Sequence, residues 1–164
     1  MKEKIAVYAG TFDPVTNGHL DVIERGSRLF DKLYVTIFIN PKKKTLFSVE
    51  ERVEMLKEAT KHLDNVIVDF SDTLAVTYAK SVNANALLRG LRATVDFEYE
   101  LQLASSNDYL DDSIEMIFLM SKPKHSFISS STVKEIVSHN HSVKGLVPHF
   151  VEEALHEKIN ADEL

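Results

Sequence analysis

Ten residues near the start of the chain, Gly10-Thr11-Phe12-Asp13-Pro14-Val15-Thr16-Asn17-Gly18-His19, have the types and spacing of an anion-handling loop. Glycines at both ends let backbone approach a ligand closely. A helical pattern follows, so free N–H groups and a positive dipole end face the same space. His19 stands at that helix start and can donate to an anion. A lone histidine is more often structural, but here Gly18 precedes it and the Thr11 hydroxyl sits at the end of a strand-like run. A second group is Ser126-Phe127-Ile128-Ser129-Ser130-Ser131-Thr132-Val133-Lys134. One hydroxyl suffices to cap a helix, and four invite a cradle for phosphate oxygens. A third is Arg89-Gly90-Leu91-Arg92, in which two arginines flank a tight turn and can clamp phosphates bidentately. Its plainer alternative is surface pairing with Asp96, Glu98 or Glu100. The triplet Lys42-Lys43-Lys44 adds positive charge that suits a small anion, although an isolated triplet is commonly just a solvated loop.

Two familiar phosphate motifs are missing. The chain has no Gly-x4-Gly-Lys-Ser/Thr and no Gly-x-Gly-x-x-Gly, which argues against P-loop kinase and dehydrogenase chemistry. A net charge of −6 argues against general nucleic-acid binding, which needs a broad basic surface. With no cysteine, thiolate metal sites, disulfides and cysteine nucleophiles are excluded. The pair His139 and His141 lacks a third ligand, so no protein metal cage is expected. No apolar run reaches membrane-spanning length and no export signal is recognisable, so a cytoplasmic address is the default expectation.

These groups need elements to position them. Residues 5–9 read as a buried strand closed by Gly10. A helix from His19 places Leu20, Ile23 and the Leu29-Phe30 pair near one stripe. Residues 33–39 are rich in β-branched and aromatic types and read as the second strand. Ser48 and Glu51 form a capping box that opens a helix with Val49, Val53, Leu56 and Thr60 on one face. Strands are expected at 66–70, 86–88 and 114–120, with helices at 74–82 and 95–110. Two more helices are expected from Ser129 and Pro148. Strand and helix alternate throughout. The expected fold is therefore α/β, one Rossmann-like doubly wound domain over residues 1–160. It has a five-stranded parallel sheet with helices on both faces and a polar tail at 161–164. In such sheets ligands bind beyond the carboxyl ends of the strands, where all four groups fall.

With the motifs in order, a resemblance is evident. Residues 10–19 resemble nucleotidyltransferases with the motif (Thr/His)-x-Gly-His, with Thr16 first and His19 last. Residues 128–134 look like their second motif, Ile-Ser-Ser-(Ser/Thr)-x-x-(Arg/Lys). Arg89-Gly-Leu-Arg92, followed by Asp96-Phe-Glu-Tyr-Glu100, narrows the likeness to the bacterial phosphopantetheine adenylyltransferases. It covers residues 4–158. Two positions depart from the usual pattern, Ala9 in place of proline and His125 in place of a larger aromatic ring.

The resemblance implies adenylyl transfer from ATP to 4′-phosphopantetheine. The sister activities on nicotinate mononucleotide or a glycerol phosphate are the alternative. It implies that Thr11 lies between both substrates and that Phe12 offers backbone to the nucleotide. His19 would stabilise the transition state at the α-phosphate, and Lys43, assisted by Arg89, would bind the attacking phosphate. Leu74 and Ala75 would line the pantetheine arm. Gly90, Leu91, Arg92 and Glu100 would hold adenosine. His125, Ser126, Phe127, Ile128, Ser129, Ser130 and Ser131 would surround the nucleotide. Mg²⁺ carried on the triphosphate, a homohexamer and feedback by coenzyme A are further implications.

Overall fold

The computed structural model describes residues 3–92 and 94–162. Five strands form one parallel sheet: β1 Ile5–Gly10, β2 Lys32–Phe38, β3 Val66–Ser71, β4 Ala86–Leu91 and β5 Glu115–Met120, in the order β3-β2-β1-β4-β5. Six helices connect and cover them: α1 Asn17–Ser27, α2 Val49–Thr60, α3 Ala75–Ser81, α4 Thr94–Leu110, α5 Ser130–Ser138 and α6 His149–Asp162. Strand order reverses between β1 and β4. The loops leaving those two strands flank this switch point at the carboxyl edge, where such sheets bind ligands in a crevice.

Alternation along β1 explains the two-sided core. Ala6 and Tyr8 face a large cluster with Val22 and Ile23 of α1, Leu56 of α2, Val133 of α5 and Leu155 of α6. Ile5 and Val7 face a smaller cluster with Val76 and Ala79 of α3. Covering both faces makes each central strand read as a continuous apolar run. Each fully buried aliphatic side chain contributes roughly 1.5–3 kcal/mol, which holds the strand ends, and the loops they launch, in fixed register. Gly26 lets α1 lie close on the sheet, since a Cβ there would sit 2.6 Å from Leu88 Cδ2 and 3.1 Å from Leu33 Cδ2.

Several boundaries move from the sequence expectation. β4 continues through Leu91, with Gly90 paired to Leu119, so Arg89-Gly90-Leu91 is strand rather than a tight turn. α1 stops at Ser27, leaving Leu29 beyond it and 53% exposed instead of on the apolar stripe. Leu74 caps α3 rather than joining it. α6 runs on through Asp162, so the helix occupies the first residues of the expected polar tail. Residues 1, 2, 163 and 164 of the domain and tail lie outside the described residues.

Candidate active site

The loop from Gly10 to His19 is built around two ring contacts. Phe12 has φ 49°, a backbone conformation that non-glycine residues rarely adopt. Its ring is 2% exposed and packs edge-on against Tyr8 at 5.3 Å and His19 at 4.9 Å, which over-determines that backbone. A Cβ on Gly10 would lie 2.8 Å from the Phe12 ring. Gly10 therefore makes room for a side chain, where the sequence suggested room for a phosphate. With its ring buried, Phe12 has only backbone to offer a ligand.

Thr16 and His19 form a capping box of an unexpected kind. The His19 N–H donates to Thr16 Oγ1 at 3.3 Å, and the Thr16 N–H donates to His19 Nδ1 at 3.0 Å. Glutamate or glutamine ordinarily takes the returning role. The consequence is chemical. A backbone N–H can only donate, so Nδ1 is unprotonated and the neutral ring carries its hydrogen on Nε2. Burial, helped by the charges of Arg92 and Arg89, pushes the ring's pKa down to about 3. His19 is thus a neutral, orientated Nε2–H donor.

Both arginines of the third group are tied down. Arg92 Nε donates to Asp96 Oδ2 at 2.9 Å, and its Nη1 donates to the Ile128 carbonyl at 2.9 Å. That bond joins the end of β4 to the serine-rich segment. Arg89 grips Glu100 through Nε at 2.9 Å and Nη2 at 2.6 Å, while its Nη1 donates to the Ala9 carbonyl at 2.6 Å. Both Glu100 oxygens accept from Arg89, so the glutamate's first task is to hold the arginine. Burial opposes the Arg89 charge, but Glu100 outweighs it and raises the guanidinium's pKa. Both pairings foreseen as the plain alternative exist, Arg92 with a partly exposed Asp96 and Arg89 with a buried Glu100, and they fix the orientation of both guanidinium groups.

The hydroxyls divide their duties. Ser129 caps α5, accepting from the Thr132 N–H at 3.0 Å. Ser130 donates to the Pro14 carbonyl at 2.8 Å, which fixes α5 against the first loop. Ser126 donates to the Pro123 carbonyl at 2.9 Å in a 3-10 turn over Pro123–His125. Ser131 is exposed and makes no side-chain hydrogen bond among the described residues. Ile128 is buried, Phe127 is 60% exposed, and a Cβ on Gly18 would come within 3.8 Å of the His125 carbonyl. The His125 segment therefore sits beside the His19 helix start.

Lys43 and Leu74 lie on the loops after β2 and β3, and Ala75 opens α3. Lys43 is exposed, with its backbone N–H donating to the Asn40 carbonyl, and its ammonium has no partner among the described residues. Leu74 is 62% exposed and Ala75 half-buried. All three leave the same carboxyl edge of the sheet as the cluster. Thr11 is half-buried, and its carbonyl accepts from Arg52 Nη1 at 2.9 Å.

Sequence reasoning gave no role to three polar residues here, Asp13 and Lys134 within the groups it singled out and Arg52 outside them. Asp13 is 3% exposed and Arg52 3% exposed, and Lys134 Nζ lies 2.7 Å from Asp13 Oδ2. The signals were present. Asp13 is a carboxylate between Phe and Pro, and Arg52 shares the buried side of α2 with Met55 and Leu56.

Against known proteins, residues 7–136 match the model of the cytidylyltransferase-like family. Over 155 residues, 94% of this chain and 97% of the relative, the sequence is 53% identical to the phosphopantetheine adenylyltransferase of Caldanaerobacter subterraneus subsp. tengcongensis. The chain belongs to the phosphopantetheine adenylyltransferases. A solved structure described as a putative nicotinate-nucleotide adenylyltransferase from Vibrio parahaemolyticus superposes with a TM-score of 0.72. It covers 96% of this chain and 95% of that one at 18% identity, which shows a shared fold. Within the adenylyltransferase family frame, the His19 and Arg92 cluster occupies the strand-order switch point, where the Rossmann-like sheet places ligands. No helix among the described residues is long and apolar enough to cross a membrane.

Proposed function

We propose that the protein transfers the adenylyl group of ATP to 4′-phosphopantetheine, reversibly, giving dephospho-coenzyme A and pyrophosphate in coenzyme A biosynthesis. The near-full-length 53% identity to a phosphopantetheine adenylyltransferase carries this reading. A terminal phosphate oxygen of the acceptor attacks the α-phosphorus of ATP, a new P–O bond forms, and the bond to the β-phosphate oxygen breaks. The nucleophile is already anionic near neutral pH, so no strong base is needed. What the site must supply is alignment and relief of crowded negative charge.

The residues suit that demand. His19 offers a neutral N–H donor to the transferred phosphate without first having to lose a proton. Arg92 and the α5 start, whose Ser130 and Ser131 N–H groups precede the capped turn, suit the nucleotide and its phosphates. Lys43 and Arg89 serve the attacking phosphate, Thr11 lies between the substrates, and Leu74 or Ala75 lines the pantetheine arm. Among the described residues no group of three or more His, Cys, Asp or Glu is placed to hold a metal ion. Mg²⁺ enters the proposal as an ion carried on the triphosphate, with phosphate oxygens and water as its ligands. Bound there, the ion would neutralise phosphate charge.

Three finer points belong to the same proposal. The protein works in the cytoplasm. Coenzyme A, which shares the pantetheine arm and adenosine, binds back into the same crevice as a feedback ligand. The chain assembles as a homohexamer. Helix α4 supports self-association, since Phe97, Tyr99, Leu101 and Tyr109 point out of the fold, Tyr109 at 90% exposure. Light scattering at micromolar concentration checks the assembly.

The deciding experiment mixes protein, Mg²⁺, ATP and 4′-phosphopantetheine and looks for dephospho-coenzyme A. Folded protein that yields none sinks the proposal. A panel including nicotinate mononucleotide and glycerol phosphate, read by pyrophosphate release, tests the sister activities.

A further inference from the structure

The Asp13 carboxylate receives three donors from two other segments. The backbone N–H of Leu46 reaches Oδ2 at 3.0 Å, and that of Phe47 reaches Oδ1 at 2.9 Å. Lys134 Nζ of α5 reaches Oδ2 at 2.7 Å. Burying an unpaired carboxylate is strongly unfavourable, so a carboxylate at 3% exposure persists only where such partners converge. Burial by itself would raise its pKa; the Lys134 ammonium and the two N–H groups outweigh that and hold it below the ordinary value. All three segments of the proposed phosphate site meet at this one group: the loop of Thr11 and His19, the lysine loop, and the serine-rich helix.

The lysine loop has few other restraints. At its start the Ile39 N–H donates to the Ser71 carbonyl, the Lys42 N–H to Asn40 Oδ1 at 3.0 Å, and the Lys43 N–H to the Asn40 carbonyl at 3.0 Å. Lys42, Lys43 and Lys44 are exposed, and their ammonium groups have no partner among the described residues. The next fixed point is Leu46, three residues beyond Lys43, so the chain between them can extend at most about 11 Å. Asp13 therefore sets how far the Lys43 backbone can stray from the first loop. Arg52 braces the same junction, donating to the Thr11 carbonyl and, through Nε, to the Ser48 carbonyl at 3.2 Å.

We infer that Asp13 is a positioning residue, clasping the lysine loop and α5 to the His19 loop so that Lys43 meets the attacking phosphate in register. The inference rests on the reading of Lys43 given above.

Asp13→Asn keeps the shape and removes the charge. Amide hydrogen exchange on the full protein reads the two backbone bonds directly, whatever Lys43 does. Exchange at Leu46 and Phe47 should quicken about tenfold or more, with the sheet amides unchanged. The kcat/KM for 4′-phosphopantetheine should fall about 10- to 100-fold, while the KM for ATP shifts less than about threefold. In a Lys43→Ala background the same substitution should cost less than about threefold more, because the two act in series. Unchanged amides overturn the clasp. Loosened amides with unchanged activity overturn the positioning role. Losses that multiply in full overturn action through Lys43. A harmless Lys43→Ala beside a damaging Asp13→Asn overturns the Lys43 reading and leaves the clasp standing. If Asp13→Asn does not fold, Lys134→Gln removes the counter-charge and keeps both backbone bonds. Its loss of activity should likewise vanish in the Lys43→Ala background, and a full additional loss there overturns the inference.

Discussion

The two halves of the crevice differ in how much of them is built before any ligand arrives. On the nucleotide side, His19 is locked to Thr16, Arg92 to Asp96 and the Ile128 carbonyl, and Ser130 to the Pro14 carbonyl. On the side proposed for the acceptor, Arg89 is held by Glu100, but the Lys43 ammonium and the Leu74 side chain are exposed, and the ammonium has no partner among the described residues. The half proposed for the nucleotide is preorganised, so it would lose little freedom on binding and could direct charge at the reacting phosphorus. On the proposed acceptor side, the exposed Lys43 side chain would trade freedom for contact only when the acceptor is present. In the inference drawn above, Asp13 is the clasp between them, holding the lysine loop through the Leu46 and Phe47 N–H groups.

The largest expected effect tests the preorganised side. His19→Ala should lower kcat about 10²- to 10³-fold in a pyrophosphate-release assay, with the KM for ATP far less changed. A fall smaller than that caused by Lys43→Ala would reverse the comparison. Lys43→Ala comes next, with kcat/KM for 4′-phosphopantetheine reduced about 10- to 100-fold, the worth of one charged hydrogen-bond partner. Because Lys43 is exposed, added salt should weaken acceptor binding more than ATP binding, and isothermal titration at two ionic strengths checks this. Arg92→Lys should raise the KM for ATP about tenfold, since an ammonium cannot span both Asp96 and the Ile128 carbonyl.

The smallest expected effect on rate is that of pH through His19. Its pKa of about 3 lies below the ordinary value of 6.5, so the ring is neutral throughout the assay range. The kcat profile from pH 5 to 9 should therefore carry no limb from His19. Stability should respond instead. Between pH 6.5 and 3 the unfolded chain binds a proton that the folded ring does not, so stability falls as pH drops through that window. Asp13, also lowered, adds to the loss below its ordinary 3.8. Chemical denaturation of His19→Gln across pH 3 to 7 should show a shallower slope than the parent.

Much of this was legible in the residues. The run from Ile5, the β-branched stretch from Leu33 and the Ser48 and Glu51 box declared their elements through local rules of period and capping. Boundaries failed where tertiary pairing overrode local type. Gly90 looked like a turn, yet β5 pairs with β4 through Leu91 and keeps it extended. The loop glycine Gly10 looked like space for a ligand, and its space is filled by Phe12. The Thr16 and His19 box was hidden because histidine stands where a glutamate would have signalled it.

By itself, the sequence determined the alternating fold and the four groups at the carboxyl edge, because strand period, helix caps and charge runs are properties of neighbours in the chain. Only the tertiary structure decided which nitrogen of His19 bears the proton, that Arg89 and Arg92 are held by Glu100 and Asp96, and that Asp13 gathers Leu46, Phe47 and Lys134. The longest of these contacts joins residues 121 apart in the chain, which only the folded chain brings together.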